Sequence, residues 1–259
     1  MNSLQKLLKV KNENLLSVYF TAGFPEPEDT ASICTALQDS GADIVEIGIP
    51  FSDPVADGET IQASNQKALE NGMTLKKLFS QLSQIKGKCS IPLILMGYLN
   101  PVMQYGINEF CKRCSELGIA GTIIPDLPIE LYLDKYAAVF KENNLSNIFL
   151  ITPQTSDERI KFIDDKTDSF IYAVSSSAVT GGKIALDSRT EYLQRIKDLK
   201  LKNPVLVGFG VSTSEDLKHI CKYANGAIIG SAFIRALSDK SEQTVSQKTG
   251  EFVNKIKVV

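Results

Sequence analysis

Residues 43–58 read DIVEIGIPFSDPVADG. The first six are rich in β-branched residues and read as a strand, and alternation along it sets Asp43, Val45 and Ile47 on one face and Ile44, Glu46 and Gly48 on the other. Neither face is predominantly polar, as expected of a strand covered on both sides, so Glu46 is a carboxylate among apolar neighbours. The stretch then becomes a loop carrying Pro50, Pro54 and Gly58 and two further acids, Asp53 and Asp57.

Working outward, apolar runs of the same kind recur at 16–21 before this strand and at 91–98, 120–125, 147–152, 169–175, 204–209 and 226–231 after it. Between them lie PEDTASICTALQDSG, PIELYLDKYAAVFKENN, SDERIKFIDDK and SRTEYLQRIKDLK, which carry the caps and apolar spacing of amphipathic helices. Strand and helix alternating to this extent over about 250 residues describe a (β/α)8 TIM barrel. An open doubly wound sheet is the competing arrangement, but no linker or compositional break divides the chain, so residues 1–259 are expected to form one barrel domain. Additional helices are expected at 3–10, near 60–70 and at 241–256.

Of the 259 residues, Lys and Arg (28) nearly balance Asp and Glu (30), which argues against nucleic acid or an anionic membrane as a partner. The amphipathic N-terminal stretch does not read as a signal peptide, and the longest apolar run, around 91–99, falls well short of the roughly 20 residues that span a bilayer. A cytoplasmic location is expected, and five cysteines without a regular framework suit a reducing compartment. CKRC (Cys111 to Cys114) sits in the middle of a helical pattern, where buried thiols compete with a redox pair. The single histidine, His219, lies two residues from Cys221, a spacing at which helical side chains do not face each other. A Cys-His dyad and a metal centre are therefore not expected. Acid–base work falls to carboxylates and tyrosines.

Barrels carry their chemistry at the C-terminal ends of the strands, and Glu46 is near such an end. In a poorly hydrated mouth its pKa should rise, as suits a general acid or base; a structural ion pair with a lysine is the alternative. Asp53 and Asp57 are either site residues or ordinary turn and cap residues. On the far side of the barrel, AVTGGK, GFGVST and GSAF bring Gly181, Gly210, Gly230 and Ser231 to the last three βα loops, where backbone N–H groups can approach a phosphate; turns need glycine as well.

EIGIPFSDPVADG, together with MGYLNPV (96–102), PDLPIE (125–130), the S-x-x-x-V-T-G of SSSAVTG (175–181) and GFGVS (208–212), resembles the tryptophan synthase α subunit family. The likeness runs in order from Thr21 to the GSA after the last strand. It implies retro-aldol cleavage of indole-3-glycerol phosphate to indole and glyceraldehyde 3-phosphate, in tryptophan biosynthesis. It also implies a β partner that carries pyridoxal phosphate, in an α2β2 assembly, and no cofactor in this chain. By motif, Glu46 and Asp57 are the catalytic pair. Tyr172 lies beside the substrate, Phe209 and Tyr98 wall the indole, and Gly181, Gly210, Gly230 and Ser231 hold the phosphate. Thr180 belongs to the loop that closes on Asp57, and Asp53, Pro54 and Asn100 face the partner. Departures from the family pattern occur at Ser176, where arginine is frequent, Ala178, where glycine is common, and Glu59, where proline is usual. The first two leave an alternative, a catalytically weakened barrel acting mainly as an allosteric activator of the β subunit.

Overall fold

The protein is described here by a computed structural model covering residues 1–174, 186–208 and 210–257, with residues 186–189 described by their backbone alone. The strands are β1 (Leu15–Thr21), β2 (Ile44–Gly48), β3 (Leu93–Met96), β4 (Gly121–Ile123), β5 (Ser146–Ile151), β6 (Ile171–Val174), β7 (Val205–Gly208) and β8 (Gly226–Ile229). They pair in parallel, each with the next, and β8 returns to β1 to close the barrel. The open sheet is thereby excluded. Most strands are shorter than the apolar runs predict: β3 occupies only Leu93–Met96 of 91–98, because Ile91 and Pro92 belong to the connection from the preceding helix and Gly97 and Tyr98 to the βα loop.

The helices are α1 (Ser3–Val10), α2 (Asp29–Asp39), α3 (Glu59–Glu70), α4 (Leu75–Ile85), α5 (Leu99–Tyr105) and α6 (Ile107–Leu117), then α7 (Ile129–Leu131) and α8 (Ala137–Glu142). After them come α9 (Asp157–Lys166), α10 (Leu186–Asp198), α11 (Ser214–Ile220), α12 (Ser231–Leu237) and α13 (Val245–Lys257). The three additional helices expected at 3–10, 60–70 and 241–256 are α1, α3 and α13. One difference lies between α7 and α8, where a single helix is expected and a π-helical turn, Tyr132–Tyr136, intervenes. Tyr132 there packs edge-on against Phe140 and Phe149, with ring centroids 5.2 and 5.3 Å away, which the wider turn accommodates.

Two apolar layers follow from the period of two along each strand. Inward-facing Leu15, Ile44, Ile94, Ile123, Ile148, Phe170, Leu206 and Ile228 fill the barrel, while outward-facing Val18, Phe20, Val45, Ile47, Leu95 and Val207 pack with helix residues such as Ile33, Leu37 and Phe110. Each such side chain contributes about 1.5–3 kcal/mol on burial. Helix α1 closes the N-terminal end: Leu4 is fully buried in the inner layer, and the Asn2 amide donates to Ala120 O (2.9 Å) and Ser146 Oγ (3.1 Å). Asn2 also caps α1 with a reciprocal capping box through Gln5. Among the described residues no helix is long and apolar enough to cross a membrane.

Candidate active site

The face assignment read from DIVEIG holds. Ile44 joins the inner layer, Val45 and Ile47 the outer, and Glu46 lies inside the barrel at 0 % exposure. Its partner is neither lysine nor arginine. The Ser17 hydroxyl donates to Glu46 Oε1 over 2.6 Å, and among the described residues Oε2 is buried without a hydrogen-bond partner. Burial pushes the Glu46 carboxyl up to about 7, and the Ser17 hydrogen bond opposes that rise. Ser17 pairs in register with Ile44, whereas Glu46 pairs with Tyr19, so the carboxylate reaches back toward the N-terminal side of its own strand position.

Asp57 sits in the loop between β2 and α3, 8 % exposed. Its backbone is tied on both sides: its N–H donates to Pro54 O (3.0 Å), and its carbonyl accepts from Gln62 Nε2 (2.8 Å). Burial raises its carboxyl to about 6, with hydrogen bonds from Asn65 and Tyr98 acting in the other direction. Asp57 thus stands in the loop at the C-terminal end of β2 and Glu46 midway along that strand, both with carboxyls raised toward neutrality, the range in which a group can both give and take a proton.

A cavity of about 230 Å³ opens at this end, lined by Asp57, Tyr19, Tyr172, Met96 and Ile61 together with Gly210, Val211, Ser212, Gly230, Ser231 and Arg235. A larger groove of about 540 Å³ lies between the β4 and β5 loops, away from both carboxylates. Two glycines shape the walls of the first cavity. A Cβ on Gly48 would lie 2.2 Å from the Tyr19 hydroxyl, and one on Gly208 would lie 2.2 Å from that of Tyr172, so each phenol occupies space that only glycine leaves open. Burial holds both phenols well above the usual tyrosine range, and the nearby carboxylates push the same way, so they stay neutral as Glu46 and Asp57 titrate.

The structure thus gathers Asp57, Tyr172, Gly210, Gly230 and Ser231 around one cavity. Glu46 lies beside this group, below the lining residues. Among the described residues Tyr98 is not part of this cavity's lining; it buttresses the Asp57 loop, stacking on Phe51 at 5.0 Å and accepting the Ala56 N–H at 3.0 Å. Thr180, Gly181 and Phe209, and the departures at Ser176 and Ala178, lie outside the described residues. Glu59, the remaining departure, is the first residue of α3 and exposed. Asp53 and Asn100 are exposed on the same face of the barrel, with Pro54 half-buried beside them. Cys111 and Cys114 are free thiols buried on α6, and burial pushes Cys111 up to about 12, which suits packing rather than redox exchange. Among the described residues no cluster of three or more potential metal ligands occurs.

Sequence reasoning missed Ser17, Tyr19, Asn65 and Arg235. Inward alternation in LSVYFT placed Ser17 and Tyr19 on the face that carries Glu46 across the register. Nothing local marked Asn65 or Arg235.

The model of the tryptophan synthase alpha chain family matches residues 5–258. A tryptophan synthase alpha chain from Christiangramia forsetii is 53% identical over 260 residues, spanning 100% of both chains. The solved tryptophan synthase subunit alpha of Legionella pneumophila superposes with a TM-score of 0.88 at 34% identity, covering 99% of this chain and 97% of that one. A chain of the tryptophan synthase complex of Pyrococcus furiosus superposes with a TM-score of 0.84 at 34% identity, over 95% and 98% of the two chains.

Proposed function

The chain belongs to the tryptophan synthase alpha chain family, and from that premise we propose how its own residues perform the family's lyase reaction, the cleavage of indole-3-glycerol phosphate to indole and glyceraldehyde 3-phosphate. The observation that carries the reading is the pair of buried carboxyls, Glu46 raised to about 7 and Asp57 to about 6, beside a cavity whose lining includes Gly210, Gly230 and Ser231.

Cleavage requires a proton on the indole carbon that bears the glycerol chain and removal of a proton from the side-chain hydroxyl next to the breaking bond. Glu46 serves these transfers, since a carboxyl near neutral pKa in a dry site exchanges protons at little cost in either direction. Positive charge develops on the indole as its carbon is protonated. Asp57 accepts a hydrogen bond from the ring N–H and stabilises that charge, an effect strengthened where water is excluded. Tyr172, Tyr19 and Met96 supply the apolar wall. Backbone N–H groups around Gly210, Gly230 and Ser231, with Gly181, hold the phosphate, whose remote binding energy orients the reacting carbon.

The partner in this reading is a tryptophan synthase β subunit in an α2β2 assembly, docked over Asp53, Pro54 and Asn100. Val55, 77 % exposed beside them, offers the apolar contact such an interface needs. We assign the pyridoxal phosphate of the assembly to the β partner and place the chain in the cytoplasm. The test is indole release from indole-3-glycerol phosphate, with and without a β subunit. Release by the wild type, and its loss in Glu46→Gln, is the expected result; equal release by both would remove Glu46 from the mechanism.

A further inference from the structure

Helix α3 buries Ile61, Ser64, Asn65 and Ala68, the i, i+3, i+4, i+7 stripe of an amphipathic helix, and two of those four positions are polar. Ser64 is satisfied: its hydroxyl donates to Ile61 O (2.8 Å) and meets Thr21 Oγ1 at 2.7 Å. Asn65 is not. Only 2 % exposed, it points Nδ2 at Asp57 Oδ2 (3.4 Å) and leaves its own carbonyl oxygen buried with no partner among the described residues. An amide left to satisfy itself would not adopt that arrangement, and an apolar residue on this stripe would pack without the penalty of a bare buried oxygen. The orientation makes sense when Asp57 is ionised. Turning the amide over would set its carbonyl against the carboxylate.

We propose that Asn65 is a positioning residue for Asp57: its amide N–H holds Oδ2, so that the carboxylate stays ionised and presents Oδ1 to the substrate's ring N–H. The proposal rests on the role given to Asp57 above. Asn65 lies eight positions after Asp57, on the helix that begins where the Asp57 loop ends, so loop and anchor form one local unit. Gln62, on the first turn of the same helix, fixes the Asp57 backbone, while Asn65 fixes its side chain. Among the described residues the other titratable groups that interact with Asp57 are Tyr19 on β1, Tyr98 after β3 and Tyr172 on β6; Glu46 on β2 acts on Tyr19 and Tyr172 as Asp57 does, and Arg235 of α12 lines the same cavity and reaches Thr60 Oγ1 (3.4 Å) on α3. Burial holds the three phenols above their usual range. Glu46 titrates close to Asp57, so the two must be followed separately.

The experiment compares wild type with Asn65→Leu, which keeps the branched shape and removes both polar atoms, Asn65→Asp, which adds a like charge, and Asn65→Gln, which keeps the amide. Two readouts are taken: kcat and KM for indole-3-glycerol phosphate against pH, and site-specific titration of a 13C-labelled Asp57 carboxyl. In Asn65→Leu the Asp57 titration should move to higher pH, and kcat should fall roughly tenfold at about pH 6 and less at about pH 8, with little change in KM. Asn65→Asp should move the titration further, and Asn65→Gln should restore part of the wild-type profile. If Asp57 titrates identically in wild type and Asn65→Leu, or if kcat falls by the same factor at every pH, Asn65 is a packing residue and the proposal is wrong. The carboxyl titration needs no turnover, so it decides the role of Asn65 even if the wild type releases no indole, a result that would overturn the reaction assignment instead. Should Asn65→Leu not fold, the Asn65→Gln and Asn65→Asp titrations carry the same decision, since equal Asp57 values in both would contradict the proposal.

Discussion

The Ser17 hydroxyl holds Oε1 of Glu46 at 2.6 Å in the barrel interior, and among the described residues Glu46 forms no ion pair. A neutral donor satisfies one oxygen without neutralising the charge, so the carboxyl keeps most of the rise that burial imposes on it. A lysine in place of Ser17 would have pulled it back toward the ordinary range.

Removing that hydroxyl should therefore raise the Glu46 titration further. For Ser17→Ala the limb of the pH–rate profile that reports Glu46 is expected at higher pH than in wild type, since the lost bond favours the charged form. Profiles that superimpose would show that Ser17 does not tune the carboxyl during turnover.

Both carboxyls also make stability depend on pH. Their folded pKa values, about 7 and about 6, lie above those of free side chains, so the folded chain binds more protons than the unfolded one. This contribution is fully present below about pH 4, where both states are protonated, and is lost as pH rises through 6 and 7. Glu46→Gln, which cannot ionise, should be more stable than wild type at pH 8 by an amount on the order of 2–3 kcal/mol and show a smaller advantage at pH 5. Urea melts at both values measure it. An advantage independent of pH would contradict the assignment.

Gly208 and Tyr172 give a packing test. Gly208→Ala puts a Cβ into the Tyr172 hydroxyl and should cost roughly 1–3 kcal/mol, together with kcat/KM, by displacing the phenol from the cavity wall. In a Tyr172→Leu background the same substitution should cost markedly less. A double-mutant cycle showing no coupling would mean that the space above Gly208 is not held by Tyr172.

Charge reversal at Asp53, exposed in the β2–α3 loop, should weaken association with a β subunit, or activation by it, while the melting of the isolated barrel stays within about 0.5 kcal/mol of wild type. An unchanged titration with the partner would place the interface elsewhere.

The barrel was legible because its evidence is local: β-rich runs recur with amphipathic helices between them, and each strand's two faces follow from alternation. Glu46 was legible for the same reason, as an acid on an inward position. Strand ends were less so, since Pro92 and Tyr98 are as apolar in a loop as in a ladder. Ser17 and Asn65 were missed because their meaning lies in partners 29 and 8 residues away, joined by strand register and by the docking of α3. The bracing of the Asp57 loop by Tyr98 was not legible, because an aromatic at a strand end suits a pocket wall and a loop buttress equally and the Ala56 N–H that it accepts lies 42 residues away.

Leu4, fully buried at the N-terminal end, makes the barrel a vessel with a stoppered base. A Cβ on Gly121 would stand 3.7 Å from Leu4 Cδ2, so the stopper sits tight against the strand ends. Leu4→Ala should cost about 2–5 kcal/mol in a denaturant melt. Should the cork loosen, water gains a second way in beneath Glu46. With it in place, an apolar molecule freed inside leaves by the C-terminal end, the rim where Asp53 and Asn100 stand exposed. A subunit seated on that rim would receive indole at the threshold, before bulk solvent could dilute it.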